Sequence, residues 1–596
     1  MKTLLIFPPQ WMPVSPYFAL PTLLGQFTGT ELEANALDLN VDFYNQILTS
    51  EYVQMSLDLA KKLLPMLKDN IRSYYNKENN YTFEQKIEIA KASIINNTLQ
   101  KYDKDFNQVI TLIEQSVEIM KSKKHYYNPK LFLPAINTIK IALEICSMPY
   151  APTRIDFISY SNPFLNLDYD TIKYFVFDDT TNIFRKYLES QVEKIKSYNA
   201  ENIGISINSS NQIVAGLTLS NILMKETKAH ISIGGNHFGR VKEALFDHPE
   251  FFELFCHSLQ VEEGETPFVQ LAEYVSGKRK IEDVANLVYF KDGKVQANPV
   301  IEPKKLHDLK PPSLEGLDLK QYFAPEIVMP FVASRGCYWR KCSFCDHDFG
   351  MHYNIKNLDK LVDEIKLFKE KYNITKFEFI DEAISPNYLK QMAQRFIDED
   401  LNIQFFCDAR LENEFSKEIL ELGAKAGLKM MLWGYESGSE KIMKLINKGI
   451  DIDKRLEIMK RANDAGIYNF AFIFFGFPAE TVEDAMKTID VICNNTDIIH
   501  SYGKSVFTMG KHTKLREAPE KYGVIGETKQ MSEFSPTFVY NASGMTKEEL
   551  NNVVNTCTKR ANEAYGNSLS FHLLSREILF LYICKYGIKD LLEYKV

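Results

Sequence analysis

Twice along this chain, short apolar runs of strand length alternate with amphipathic stretches of helical length. Such alternation demands parallel sheets with helices on their faces, because each parallel strand must be re-entered through a crossover. The first series contains "TLLIF" (3–7), "EANALDLN" (33–40), "NIGISI" (202–207) and "HISIGG" (230–235). It is interrupted from about 50 to 145, where Val109, Leu112, Ile113, Val117 and Met120 recur at helical spacing. The second series contains "IVMPFVAS" (327–334), "KFEFI" (376–380), "IQFFCDA" (403–409), "LKMMLWG" (428–434), "FAFIFFG" (470–476) and "IIHSYGKSVF" (498–507). Six β/α units predict a partial barrel, with chemistry at the C-terminal ends of its strands. The fold class expected is therefore α/β. A doubly wound, Rossmann-like domain with a helical insertion spans 1–300 and a proline-rich linker 301–326. A partial (β/α)6 barrel spans 327–510, and a helical C-terminal domain 511–596.

A chain of 596 residues exceeds what one hydrophobic core supports. A net charge of −8 argues against a nucleic-acid partner or an anionic membrane surface. No apolar run reaches the ~20 residues needed to span a bilayer. The N-terminal "MKTLLIFPP" reads as a first buried strand rather than a signal peptide, so a cytoplasmic location is expected. There are nine cysteines, an odd number at irregular spacing, which argues against a disulfide framework.

Three of those cysteines stand within "SRGCYWRKCSFCDH" (334–347), just after the first strand of the second series. Cys337, Cys342 and Cys345 are separated by four and then two residues. Three thiolates on one loop can hold three irons of a cubane and leave the fourth iron open to a ligand. The same residues with His347 would supply four donors to a structural zinc ion, which makes a zinc-stabilised binding protein the alternative.

The position of this loop resembles the radical SAM superfamily, in which a cysteine loop follows the first strand of a partial barrel. The usual family spacing is three then two residues, so this loop carries one extra residue among Tyr338, Trp339, Arg340 and Lys341. The resemblance implies a 4Fe-4S cluster on Cys337, Cys342 and Cys345, with S-adenosyl-L-methionine (SAM) on the open iron and Phe344 against its adenine. Further marks agree in order. "FIDEAISP" places Asp381 and Glu382 where the family binds the SAM amino group. "CDARLE" places Arg410 where a guanidinium would pair with the SAM carboxylate. "WGYESGSEKIMKLINKG" brings Glu436 and Ser437 to the ribose or methionine moiety, and "FFGFPAETVEDA" brings Gly476 and Pro478 to the adenine site.

The first series resembles the cobalamin-binding domain found ahead of such barrels. Its implied contacts are Pro8 after the first strand, Ser206 and Asn208 after the third, and Gly234, Gly235 and Asn236 after the fourth. Gly264, Glu265 and Thr266 follow the fifth. Cobalamin domains that ligate cobalt carry Asp-x-His-x-x-Gly after the second strand. Here Asp38-Leu39-Asn40-Val41-Asp42-Phe43 has Asn40 in place of the histidine. The resemblance then implies base-off cobalamin with no histidine ligand. His237, on the neighbouring loop, reads as a surface or hydrogen-bonding residue.

Together these parts resemble the cobalamin-dependent radical SAM enzymes. The implied activity is transfer of a methyl group from methylcobalamin to an unactivated carbon through a 5′-deoxyadenosyl radical. A non-methylating rearrangement or cyclisation is the alternative. The implied partners are a small-molecule or peptide substrate and an external electron donor such as flavodoxin or ferredoxin.

Overall fold

The computed structural model describes residues 1–74, 80–346, 352–573 and 575–596. They form two compact units. The first comprises Met1–Lys304, Leu309–Ile327 and Ser532–Ser535; the second comprises Lys305–Asp308, Val328–Met531 and Pro536–Val596.

The first unit is built on β1 (Lys2–Phe7), β2 (Glu33–Asp38), β3 (Asn202–Ser206), β4 (His230–Gly234), β5 (Ser258–Gln260), β6 (Leu287–Lys291) and β7 (Lys294–Ala297). Their order is β2-β1-β3-β4-β5-β6-β7. The first five are mutually parallel. From Leu4 to Phe7, β1 is at most 2% exposed, as expected of a parallel strand covered on both faces. The antiparallel pair β6–β7 extends the doubly wound sheet through an Asp292-Gly293 turn in which both residues have positive φ. Strand order reverses around β1, so the C-terminal ends of β1 and β3 flank the switch point where such sheets bind ligands.

Helices Ser50–Tyr74, Phe83–Lys101, Phe106–Lys121 and Pro129–Ser147 make up the insertion. The stretch Pro129–Tyr150 is long and apolar enough to cross a bilayer, contrary to the sequence expectation, but it is mostly buried within the protein. The proline-rich segment is a packed strap rather than a loose linker. Tyr322 donates its hydroxyl to Asp38 Oδ2 at 2.6 Å, and Phe323 N–H donates to Pro13 O at 2.8 Å. A Cβ on Gly25 would lie 2.1 Å from the Pro311 carbonyl oxygen, so this glycine lets the strap pass.

The second unit carries β8 (Val328–Phe331), β9 (Lys376–Phe379), β10 (Gln404–Ala409), β11 (Leu428–Glu436), β12 (Tyr468–Phe475) and β13 (Ser501–Val506), parallel and in sequence order. Five helix starts in this series are chemically marked. Asn357, Ser385, Ser416, Ser439 and Thr481 accept a backbone N–H of the first turn, satisfying donors that have no intrahelical partner. The region from 511 onward is not wholly helical. It contributes Val524–Gln530 and Thr537–Ala542 to a three-stranded sheet with Met509–Gly510, followed by helices Lys547–Tyr565 and Arg576–Glu593.

A polar node sits at the start of β12. The Asn469 amide donates to Met459 O (2.7 Å) and Ile498 O (2.9 Å) and accepts from Trp433 Nε1 (2.7 Å). Asn469 N–H donates to His500 Nδ1 at 2.9 Å, which leaves the ring proton on Nε2, facing Asn463 Oδ1 at 3.1 Å. Burial holds His500 neutral, its pKa pushed down to about 4 from 6.5. Because the folded-state value lies below the unfolded one, this contribution is complete above pH 6.5 and is lost as pH falls towards 4. The loss should approach about 3 kcal/mol. Denaturant midpoints measured between neutral and acidic pH should therefore fall more steeply for the natural protein than for His500→Gln; equal slopes would show that His500 is not the titrating group.

Candidate functional site

The cysteine loop leaves β8 through Ser334–Arg335, which pairs antiparallel with Asn354–Ile355 and so closes the loop at its base. The departure point is set by Asp381, one residue beyond Ile380 at the end of β9. Its carboxylate accepts the N–H groups of Ala333 (3.2 Å) and Ser334. Asp381 is 1% exposed and burial pushes its pKa up to about 7. Asp381 thus holds the start of the loop through its backbone, at the position where the resemblance places the SAM amino group. Its neighbour Glu382 is half-buried.

Cys337, Cys342 and Cys345 are all half-buried, and none forms a disulfide. Their loop is pinned to residues 445–447. Ser343 N–H and Oγ donate to Ile446 O and Leu445 O, each at 2.9 Å, while Asn447 Nδ2 donates to Lys341 O at 3.0 Å. Leu515 N–H donates to Ser343 O on another side. Burial pushes the Cys342 thiol up, opposed by the nearby charges of Lys448 and Arg410. The Phe344 ring lies 5.2 Å from that of Phe474 and packs on a cluster that includes Ile442, Met443 and Phe507. Among the described residues, no three His, Cys, Asp or Glu side chains converge as one metal ion would require. A cubane asks instead for one iron per thiolate, and three half-buried cysteines on a pinned loop fit that demand. His347, the fourth zinc donor considered above, lies outside the described residues.

The downstream marks reach the same strand ends but are differently employed. Arg410, 4% exposed, donates from Nε to Glu412 Oε1 (2.8 Å) and from Nη2 to Lys448 O (2.6 Å). Both edges of the guanidinium are thereby partly occupied by the protein's own acceptors. Glu436, at φ +65°, forms a buried ion pair with Lys448. A Cβ on Gly434 would lie 2.2 Å from Lys448 Nζ, so that glycine makes room for the pair. Ser437 is fully buried and braces its own turn, accepting Ser439 N–H at 3.1 Å beside Thr488 Oγ1 at 3.3 Å. Gly476 takes φ +86° and donates its N–H to Glu480 Oε2 at 2.6 Å, and the Pro478 carbonyl accepts Gly544 N–H at 2.8 Å. Glu480 itself is fully buried with Oε1 unpartnered, its pKa pushed up to about 7 by burial. Lys448, Glu412 and Glu480 were not singled out from the sequence. All three fall inside the quoted "WGYESGSEKIMKLINKG", "CDARLE" and "FFGFPAETVEDA" stretches, which was the available signal.

In the first unit, Gln212 joins two of the expected loops. Its Nε2 donates to Pro8 O, and its Oε1 accepts Asn208 N–H, both at 2.9 Å. Asn208 Nδ2 donates to Ser206 Oγ at 2.9 Å. Gly234 and Gly235 differ. Around a Cβ on Gly234 the nearest atom is Gln260 Cβ at 4.0 Å, whereas Gly235 has φ +105° and its Cβ would lie 2.4 Å from Ile207 O. The protein's own packing thus requires glycine at 235. Asn236 opens the short turn Asn236–Gly239. His237 is buried rather than on the surface. Nε2 has no partner, and burial pushes its pKa down to about 4. Gly264 lies against Leu23, Glu265 is nearly buried, and Thr266 precedes helix Pro267–Val275. Asn40 is 2% exposed, and its Oδ1 accepts Trp11 N–H at 2.9 Å. Asp38 accepts the N–H groups of Asn40 (3.0 Å) and Val41 (3.1 Å), capping the helix that follows.

Residues 331–492 match the Radical SAM superfamily. An uncharacterized methyltransferase of Pyrococcus horikoshii is 28% identical over 236 residues, which cover 38% of this chain and 50% of the relative. The match thus spans half that relative's length. Two solved structures share the fold. One is the cobalamin-dependent S-adenosylmethionine radical enzyme OxsB with aqua-cobalamin and S-adenosylmethionine bound. It has 16% identity and a TM-score of 0.52, covering 67% of this chain and 64% of that one. The other is the radical S-adenosylmethionine methyltransferase TsrM of Kitasatospora setae with cobalamin and a 4Fe-4S cluster bound. It has 12% identity and a TM-score of 0.52, covering 93% of this chain and 90% of that one. The chain thus carries a radical SAM domain over residues 331–492 and shares its fold with these two structures.

Proposed function

We propose that this enzyme is a methyltransferase acting on an unactivated carbon of a small-molecule or peptide substrate. The observation that carries the reading is the cysteine loop, with three half-buried thiols pinned at the C-terminal end of β8 inside a radical SAM domain. Methyl transfer is supported by the activity named for the Pyrococcus relative and for TsrM.

Cys337, Cys342 and Cys345 would hold a 4Fe-4S cluster, and Glu382, Phe344, Gly476 and Pro478 would face SAM. Pro8, Ser206, Asn208, Gly234, Asn236, Gly264, Glu265 and Thr266 would face cobalamin. When bound, the cluster supplies an electron for reductive cleavage of SAM, and cobalamin supplies the methyl group. The chain's own contribution is placement and shielding. Asp381 sets where the loop begins, and residues 445–447 set where it returns. The buried Phe474, Phe477 and Phe507 exclude water behind Phe344. Cobalamin would be base-off and free of a histidine ligand. Asn40 is an amide, a poor cobalt donor, and its oxygen already accepts Trp11 N–H.

Single replacement of Cys337, Cys342 or Cys345 by Ala should remove most of the iron and all SAM cleavage. Cys407→Ala, at a thiol only 1% exposed, should leave iron near the natural level. Elemental analysis of anaerobically purified protein checks this, and one zinc per chain without iron would overturn the reading. Gly234→Leu should lower cobalamin occupancy with iron retained, whereas Gly235→Leu should unfold its loop through overlap with Ile207, as thermal melting would report. Electron paramagnetic resonance of the cobalt(II) form should lack axial nitrogen splitting; its presence would refute base-off, histidine-off binding.

A further inference from the structure

The gap between Cys337 and Cys342 is one residue longer than the family's usual spacing, and the structure shows how the added length is held. Arg340 takes φ +52°, so the chain turns back within the gap. The two residues before it close on Arg410. The guanidinium carbon lies 4.5 Å from the Trp339 ring centroid and 5.7 Å from that of Tyr338. The Tyr338 hydroxyl donates to Glu412 Oε2 at 2.9 Å, while Arg410 Nε donates to Glu412 Oε1. Trp339 Nε1 donates to Asn447 O at 3.0 Å, and Lys341 Nζ stands 4.8 Å over the same ring. The Trp339 ring occupies space opened by Gly449, where a Cβ would lie 1.8 Å from it. Gly449 has φ +67°, so a side chain there is disfavoured twice. Arg410 Nη2 closes the circuit on Lys448 O.

Tyr338, Trp339 and Lys341 are thus tied by side chain or backbone to Arg410 and Glu412, just beyond β10, and to Asn447, while Arg340 carries the turn between them. A four-residue gap left untied would let Cys342 wander relative to Cys337, and the entropy of ordering it would fall on cluster assembly. We propose that Trp339 and Arg410 form a clamp that presets the separation of Cys337 and Cys342 before iron arrives. Both are positioning residues, acting on the cluster through the loop that carries its thiolates. This inference rests on the cluster reading above, and it assigns Arg410 to the loop instead of to SAM.

Two measurements test it. In the metal-free chain, the Ser343 amide is bonded to Ile446 O, so its hydrogen exchange reports loop order without any cofactor. Trp339→Ala and Arg410→Ala should exchange this amide faster than the natural protein, and Trp339→Phe, which keeps a ring over Arg410, should restore most of the protection. In reconstituted protein, iron release to a chelator should be about 10–100-fold faster for the two alanine variants, with Trp339→Phe close to natural. Arg410→Lys should resemble Arg410→Ala, because an ammonium cannot serve both Glu412 and the Lys448 carbonyl in the same plane. Natural exchange and iron retention in Arg410→Ala, combined with lost SAM binding, would overturn the clamp and return Arg410 to SAM. If the natural chain takes up no iron, the cluster reading fails on that result. The clamp is then decided by the exchange data alone, with unchanged Ser343 exchange in Trp339→Ala overturning it.

Discussion

A parallel strand can be entered only from one end, so every loop that follows a strand in such a sheet collects on the same rim. Both units of this protein obey that constraint, and the arrangement of the site follows from it. In the second unit, the residues after β8, β9, β10, β11 and β12 come from segments spread over more than a hundred positions, yet they meet because each terminates a strand of one sheet. In the first unit the same rule brings Pro8, Ser206 and Gly234 to neighbouring strand ends, with Gln212 bonding two of the loops together.

What fixes the arrangement of the rim is a set of buried ionisable groups, each with a local partner. Asp381 is satisfied by two backbone amides, Glu436 by Lys448, and Arg410 by Glu412 and a carbonyl. An isolated charge at these depths would be costly, and removing one partner from such a pair typically costs 3–5 kcal/mol or about that. The pairs do not recommend themselves as sources of net stability. They specify one arrangement of loops that carry few apolar contacts of their own. Glu480 differs, since one of its carboxylate oxygens is buried without a partner.

Some of this was legible in the chain and some was not, and the division has a physical origin. Four strands of the first sheet and the six of the second were legible at nearly their observed positions because period and apolar content are local properties. The cysteine spacing was read for the same reason. The β6–β7 hairpin and the sheet beyond residue 511 lie outside that reading; β7 and the strands beyond 511 are largely exposed, while the apolar β6 is too short to be told from a loop by pattern alone. Arg410, Ser437 and Asp381 were placed correctly at strand ends, but their partners were not foreseen. Those partners lie as far away as Thr488, Lys448 and Ala333, at separations no local pattern encodes. That the carbonyl of Ile207 excludes a side chain at Gly235 is likewise a matter of the fold and not of the local sequence.

The sequence by itself determined the two α/β series, the insertion between the second and third strands, and the three thiolates on one loop. It also determined the absence of an imidazole at Asn40. These depend on residue type and spacing along the chain. Tertiary structure alone decided which way each rim side chain turns: Asp381 towards two amides, Arg410 into the Trp339 and Tyr338 rings, Asn40 towards Trp11 N–H, His237 into the interior. A side chain's direction is set by competition among all the partners within its reach. Those partners are brought there by strands that are neighbours in space and distant along the chain.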